Sequence, residues 1–325
     1  MTQRKLILII AAAAVVIFTL LSFLVLKHFS GVTEGVSGLN KAQLIYKRAE
    51  AFLRADEEDK AVNALFEIIN EYPGSKYAEL SLKTLASVYQ NKGDYSKARY
   101  YYKRLLRDFP DVGDASAIKA TIEEISMKEM MSPAIMTEDS VEYVVQPGDS
   151  LYAIARSFNT TIGLIKKINR LQSDVIRPGQ KLKVVVSRFS ILVDKSTNTL
   201  LLKKDGEPLK TYTVSTGKDN STPVGSFKLE EKMVKPVWYK VDAVVPPDSD
   251  QYELGDRWMG LSVQGYGIHG TADESTIGSQ VTQGCVRMKN ADVVELYDIV
   301  PSGTEVDIVD SVEETAGPAI PGEAE

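Results

Sequence analysis

The sequence predicts a multidomain chain: an N-terminal transmembrane helix, an all-α segment of helical repeats, a small α+β domain of βααβ order, and a mostly-β C-terminal domain. Three observations carry that division. Residues 6–26 run for 21 positions without a charge, a 37-residue repeat of helical character follows, and from Phe189 onward the apolar positions alternate with a period of two.

At about 1.5 Å per helical residue, 6–26 spans about 30 Å, the thickness of a bilayer core. A cleavable signal usually has a shorter apolar run and a small-residue cleavage site, whereas Leu26 is followed by Lys27, His28, Phe29 and Ser30. Residues 1–30 are therefore expected to form a cytoplasmic stub, carrying Arg4 and Lys5, and an uncleaved signal anchor. This makes the chain a single-pass protein of the cytoplasmic membrane with its bulk on the extracytoplasmic side; Lys27 opposes that charge asymmetry. Residues 31–39, rich in Gly, Ser and Thr, read as a flexible linker.

From 40 to 131 charged faces alternate with Ala, Leu, Ile and Tyr. Lys60 and Ala61 return as Lys97 and Ala98, and Glu71, Tyr72 and Pro73 return as Asp108, Phe109 and Pro110. Alanine suits the places where helices cross closely, and proline ends the second helix of each pair. The segment resembles tetratricopeptide-like repeats. Its tyrosines (89, 95, 100, 101 and 102) are expected mostly to pack core and groove, with docking of an envelope protein partner as the functional alternative.

Residues 132–141 lose the helical period after Ser132 and Pro133 and read as a linker. The next stretch, 142–186, predicts a strand at 142–145, helices at 151–158 and 161–169, a Pro178–Gly179 turn and a closing strand at 181–186. Tyr143 through Ala155, continuing past Asn169 to Leu182, resembles the lysin motif, LysM. That resemblance implies binding of N-acetylglucosamine-containing glycan between two loops, here Gly148, Asp149, Ser150 and Leu151 on one side and Ile176, Arg177, Pro178 and Gly179 on the other. The alternative is a structural domain without sugar binding.

In the C-terminal domain, 188–309, apolar alternation over 189–194, 199–203 and 209–215, with Asp205–Gly206 as a hairpin signal, predicts an antiparallel meander. Trp238, Tyr239, Trp258 and Tyr266 either line a cleft or fill the core. Asn290 is placed as the N-cap of a helix bearing Val293, Val294, Leu296, Tyr297 and Val300; Pro301 stops it, and 304–309 forms a last strand. Residues 310–325, acidic and without a basic residue, read as a disordered tail.

A net charge of −6 without a basic face excludes nucleic acid as a partner. One cysteine permits no internal disulfide, and no Cys/His cluster exists to hold a metal, so neither metal nor cofactor is expected. That cysteine, Cys285, follows His269 within one glycine-rich stretch, and His28 is the only other histidine. A thiol needs a base or positive group beside it to act as a nucleophile, and imidazole is the usual one. A lone cysteine also packs well as a small hydrophobe, so spacing alone leaves both readings open.

The run Ile268, His269, Gly270, Thr271, then Thr282, Gly284, Cys285, Val286, Arg287, Met288, Asn290 and Asp292 resembles the active-site signature of the L,D-transpeptidase catalytic domain. Thr222, Pro223, Gly225 and Phe227 match a second landmark of that family, while Gln283 stands where the family often has another histidine. The resemblance implies Cys285 as nucleophile and His269 as base and acid, its imidazole oriented by a backbone carbonyl with Thr282 beside it. Gly270, Thr282, Gly284 and Arg287 are the implied supporting residues. Arg287 is either a structural hydrogen-bonder or a partner for a substrate carboxylate. The implied reaction opens a peptidoglycan stem tetrapeptide, releases D-alanine and transfers the acyl group to an amine of another stem. Hydrolysis by the same cysteine and a non-catalytic wall-tethering scaffold are the competing readings.

Overall fold

The computed structural model describes residues 41–239 and 243–312. The expected transmembrane span, the 31–39 linker and all but the first residues of the acidic tail lie outside them. Among the described residues no helix is long and apolar enough to cross a membrane.

Two compact units divide near residue 122. The first is helical: α1 (41–54), α2 (Glu58–Glu71), α3 (Lys76–Asn91), α4 (Tyr95–Asp108) and the start of α5 (Ala115–Met131). The 37-residue repeat is visible as equivalent packing. Ala61 and Ala98 are fully buried where helices cross, and Ile68 and Leu105 fill matching core positions. The amides of Tyr72 and Phe109 close the last turns of α2 and α4 on those same two carbonyls, just ahead of the prolines. Ser75 and Asp94 cap α3 and α4 through Ala78 N and Lys97 N. Tyr101 and Tyr102 are buried, Tyr89 stacks on Tyr101 at 5.5 Å, and Tyr100 remains 56% exposed.

The second unit begins with the end of α5 and contains a βααβ domain: β1 (Ser140–Val144), α6 (Leu151–Ser157), α7 (Ile162–Asn169) and β2 (Lys181–Val185), with β1 antiparallel to β2. Ser150 and Thr161 cap its helices. Helix α7 is apolar on two faces. Ile165 faces the small domain's own core, while Leu164 and Ile168 enter the core of the β domain.

The junction between these domains is densely bonded. Lys183, 3% exposed, donates to four carbonyls at and beyond the end of α5, those of Glu129, Met130, Ser132 and Ile135, at 2.5–3.1 Å. Its ammonium satisfies helix-end acceptors that burial would otherwise orphan. Asp139 accepts from Ser187 and pairs with Lys204, and both contacts hold its carboxyl well below the ordinary range against the opposing effect of burial. The stretch between α5 and β1 thus has no helix or strand, yet it is tied on both sides. Helix α7 is also tied to Asp298 from both ends: its N-cap Thr161 bonds the Asp298 carbonyl, and Lys167 in its last turn pairs with the Asp298 carboxylate at 2.9 Å.

The β domain is built on strands β3 (Phe189–Asp194), β4 (Thr199–Lys204), β5 (Glu207–Thr213), β6 (Thr216–Gly217), β7 (Gly225–Val234), β8 (Trp238–Tyr239), β9 (Val244–Val245), β10 (Arg257–Leu261), β11 (Gly267–His269), β12 (Gln280–Thr282), β13 (Val286–Arg287) and β14 (Glu305–Val309), with helix α8 (Asn290–Ile299) before the last. Eight of them form one mixed sheet in the order β13-β11-β10-β7-β14-β3-β4-β5. The predicted meander is β3-β4-β5, turned at Asp205 and Gly206, both at positive φ as a tight two-residue hairpin demands. The last strand runs parallel to β3 and antiparallel to β7, placing it mid-sheet. Helix α8 covers one face with Val293, Leu296 and Ile299.

The cap of α8 differs from expectation. Lys289 occupies the N-cap position without a side-chain bond, and Asn290 is the first helical residue. The Asn290 side chain is used elsewhere: its Oδ1 accepts from the Asp256 amide at 3.0 Å.

Candidate active site

Strand alternation assembles the site. β11 and β13 run parallel, pairing Ile268 with Val286 and His269 with Arg287, and β10 pairs Met259 with Ile268 and Trp258 with His269. With a period of two, Met259, Ile268 and Val286 turn to the core, each at most 1% exposed, while Trp258, His269 and Arg287 share the opposite face. Cys285, one position ahead of Val286, belongs to that face as well. The two motif halves, sixteen positions apart in sequence, therefore lie on adjacent strands.

Five glycines let the backbone and rings meet this closely. A Cβ on Gly270 would stand 2.2 Å from Asn290 Oδ1, and one on Gly255 the same. A Cβ on Gly267 would penetrate the Trp258 ring at 2.6 Å, and one on Gly284, at φ +127°, the Tyr266 ring at 2.5 Å. Gly217 of β6 approaches Gly284 Cα to within 3.0 Å of where its own Cβ would be, held there by its amide bond to Thr222 Oγ1 at 2.7 Å.

His269 is 4% exposed and stacks on Trp258 with ring centroids 5.9 Å apart. Its Nδ1 lies 2.6 Å from the Gly270 carbonyl, which can only accept, so Nδ1 carries the proton and Nε2 keeps its lone pair. Burial drives the imidazole pKa down to about 4; the Gly270 carbonyl opposes this and Arg287 adds to it. The ring is neutral at physiological pH and able to take a proton. Burial likewise raises the Cys285 thiol, while the Gly267 backbone and the Arg287 charge pull it back. Cys285 remains partly accessible, its sulfur 3.8 Å from the Gly265 carbonyl.

Thr282 is buried, and its hydroxyl donates to the Cys285 carbonyl at 2.6 Å and accepts from the Gly284 amide at 3.2 Å. It thus braces the backbone at Cys285, whereas the resemblance placed it beside the carbonyl that orients the histidine. The Arg287 guanidinium reaches Thr276 Oγ1 and Glu253 Oε2, both at 3.3 Å, and its buried Nε has no acceptor among the described residues. Both expected roles for Arg287 remain compatible with this: it has structural partners, and it retains an unused donor beside the cleft.

These groups open onto a cleft of about 750 Å³ lined by Trp238, Tyr239, Glu253, Trp258, Tyr266, His269, Thr282, Gln283, Cys285 and Arg287. All four aromatics left open between cleft and core belong to its wall. Glu253 carried no signal as a site residue because it lies outside any motif; Asn290 belongs to the motif run, but its contact with Asp256, far back in the chain, carried none.

In the βααβ domain the two expected glycan loops are brought together. Gly179 N bonds Val145 O at 2.8 Å and Val145 N bonds Gln180 O at 2.9 Å. Gly148 and Gly179 take positive φ as turn residues, and Asp149 accepts from Tyr143 Oη and Gln146 N. Ser150 caps α6, Leu151 is core, Ile176 packs against that core, and Arg177 N bonds Gln180 Oε1.

Known families match the chain in three parts. The description "L,D-transpeptidase catalytic domain" matches residues 188–308, "LysM domain" residues 143–185, and "Tetratricopeptide repeat" residues 43–75 and 84–111. The chain is 35% identical to a putative L,D-transpeptidase YkuD of Bacillus licheniformis over 174 residues, covering 51% of this chain and 97% of that one. It is 39% identical to a putative L,D-transpeptidase YqjB of Bacillus subtilis over 126 residues, covering 37% of this chain and 70% of that one. Among solved structures, the NMR structure of the catalytic domain from the E. faecium L,D-transpeptidase aligns at 23% identity and a TM-score of 0.32, over 37% of this chain and 96% of that one. With a cysteine and a neutral histidine in one cleft and a relative matched along almost its whole length, the chain belongs to the L,D-transpeptidase family of enzymes.

Proposed function

We propose that the chain is a membrane-anchored peptidoglycan L,D-transpeptidase of cell-wall biogenesis. The observation that carries this reading is that His269 and Cys285 line one cleft, with His269 Nδ1 held by the Gly270 carbonyl so that Nε2 is the nitrogen free to act as base. In the proposed cycle Nε2 takes the Cys285 proton and the thiolate attacks the carbonyl of the third residue of a stem tetrapeptide. The Cys285 amide and its neighbours stabilise the oxyanion, and His269 returns the proton to the departing D-alanine amine. An amine of another stem then takes the acyl group, giving a 3-3 cross-link.

The remaining segments fit that task. Residues 6–26 anchor the chain in the cytoplasmic membrane and leave its bulk outside, the tetratricopeptide repeats offer a surface for an envelope protein, and LysM holds N-acetylglucosamine-containing glycan through the loops at 148–151 and 176–179. Glycan binding raises the local concentration of a polymeric substrate without requiring tight affinity.

The test incubates the protein and its Cys285→Ala variant with tetrapeptide muropeptides and reads products by mass spectrometry. A dimer lacking one D-alanine, formed only with Cys285, supports transpeptidation. Tripeptide without dimer moves the assignment to a carboxypeptidase, and no Cys285-dependent product with glycan binding intact leaves a wall-tethering scaffold.

A further inference from the structure

We propose that Glu253 is the acceptor-binding residue of the cleft, receiving the ammonium of the incoming primary amine; this rests on the acyl-transfer reading above. Among the described residues lining the cleft, Glu253 is the one carboxylate and Arg287 the one cation. Their contact is loose, 3.3 Å between Oε2 and one guanidinium nitrogen, with the Glu253 side chain 55% exposed and the Arg287 side chain 14% exposed. Oε1 of Glu253 makes no hydrogen bond among the described residues, and Arg287 Nε is buried without an acceptor. Each charge therefore keeps unused hydrogen-bonding capacity.

A cleft prepared only for a neutral amide would not hold an outer carboxylate and an inner guanidinium side by side, because both lose hydration as substrate fills it. A reaction whose partners carry a carboxylate and a primary ammonium uses both. The exposed position of Glu253, in a cleft that Trp238 and Tyr239 also line, suits the partner that arrives second. The acceptor enters as R–NH3+, bonds Glu253, and releases one proton to solvent water. Its nitrogen then forms the C–N bond to the acyl carbon as the C–S bond to Cys285 breaks. A second proton passes from that nitrogen through His269 Nε2 to the sulfur, regenerating the thiol.

The test uses the full chain in detergent with tetrapeptide muropeptide as donor, and first detects the Cys285 acyl adduct by mass spectrometry. Capture of that adduct is then compared between a primary-ammonium acceptor, the diamino-acid stem, and hydroxylamine, which is uncharged at neutral pH. Glu253→Gln is expected to lower the ratio of ammonium capture to hydroxylamine capture about tenfold, the value of one charge-assisted contact, and to raise hydrolysed tripeptide. Glu253→Asp is expected to recover part of the ratio. An unchanged ratio in Glu253→Gln with the adduct present overturns the assignment of Glu253 alone. Absence of any adduct in the unsubstituted protein overturns the acyl-transfer reading and this inference with it. A purely structural effect of Glu253 would lower both captures together, leave the ratio unmoved, and so count against the proposal.

Discussion

The amide oxygen of Asn290 stands 2.2 Å from the point where a Cβ on Gly270 would lie, and it accepts the Asp256 amide at 3.0 Å. The residue after His269 and the first residue of α8 are thus one packing unit. Any side chain at 270 must displace Asn290 and break its bond. Gly270→Ala should cost about 1–3 kcal/mol of stability and slow alkylation of Cys285. Adding Asn290→Ala reopens the space, so the double variant should lose less than the sum of the singles by about 1 kcal/mol or more, read from denaturant midpoints.

His269 is a depressed base, and the sign of its linkage follows. Burial lowers its pKa from an ordinary 6.5 to about 4. Between those values the unfolded chain binds a proton that the native protein refuses. Stability is full above about pH 6.5 and falls as pH drops toward 4, by about 3 kcal/mol over the window. Urea unfolding at pH 7.5 and 4.5 should show this loss in the parent and a clearly smaller one in His269→Gln. An equal loss in both would assign the acid sensitivity to other groups.

What was legible in the sequence was what local chemistry specifies. The Asp205–Gly206 hairpin appears with both residues at positive φ, the βααβ order follows from capping and periodicity, and the order of motif residues around His269 and Cys285 places them on neighbouring strands. What was not legible depends on contacts distant in sequence. Composition made 132–141 a linker, but Lys183, some fifty positions further on, binds its carbonyls. Asn290 fits an N-cap by type, and tertiary packing recruited its side chain to Asp256 instead. Glu253 sits in no periodic pattern, so only the fold brings it to Arg287.

Lys183 joins the end of α5 to the βααβ domain through four carbonyls while only 3% exposed. Burial lowers its pKa, so its charge is kept by those acceptors and by nearby Asp139 and Glu129. Lys183→Met preserves the volume and leaves the carbonyls orphaned, which should cost about 3 kcal/mol. Hydrogen exchange should report the loss first at the end of α5 and along β2. Protection there equal to the parent's would show that the apolar contacts of Met130, Leu164 and Ile168 hold this junction without the ammonium.

Thr282 joins the peptides on either side of the one that carries the Cys285 amide, donating to the Cys285 carbonyl and accepting from the Gly284 amide. Gly284 itself, at φ +127° beneath Tyr266, cannot hold that conformation through a side chain of its own. In the proposed cycle the hydroxyl thereby steadies the Cys285 amide, the proposed oxyanion donor. Thr282→Val keeps the shape and removes both bonds, and should lower kcat/KM about a hundredfold, the usual scale for a misdirected oxyanion donor. Thr282→Ser retains the hydroxyl and should stay within severalfold of the parent. Because the defect arises in the transition state, the loss should fall on kcat with little change in KM. A Val variant that changes KM alone would place Thr282 in substrate binding and leave the oxyanion geometry to the backbone.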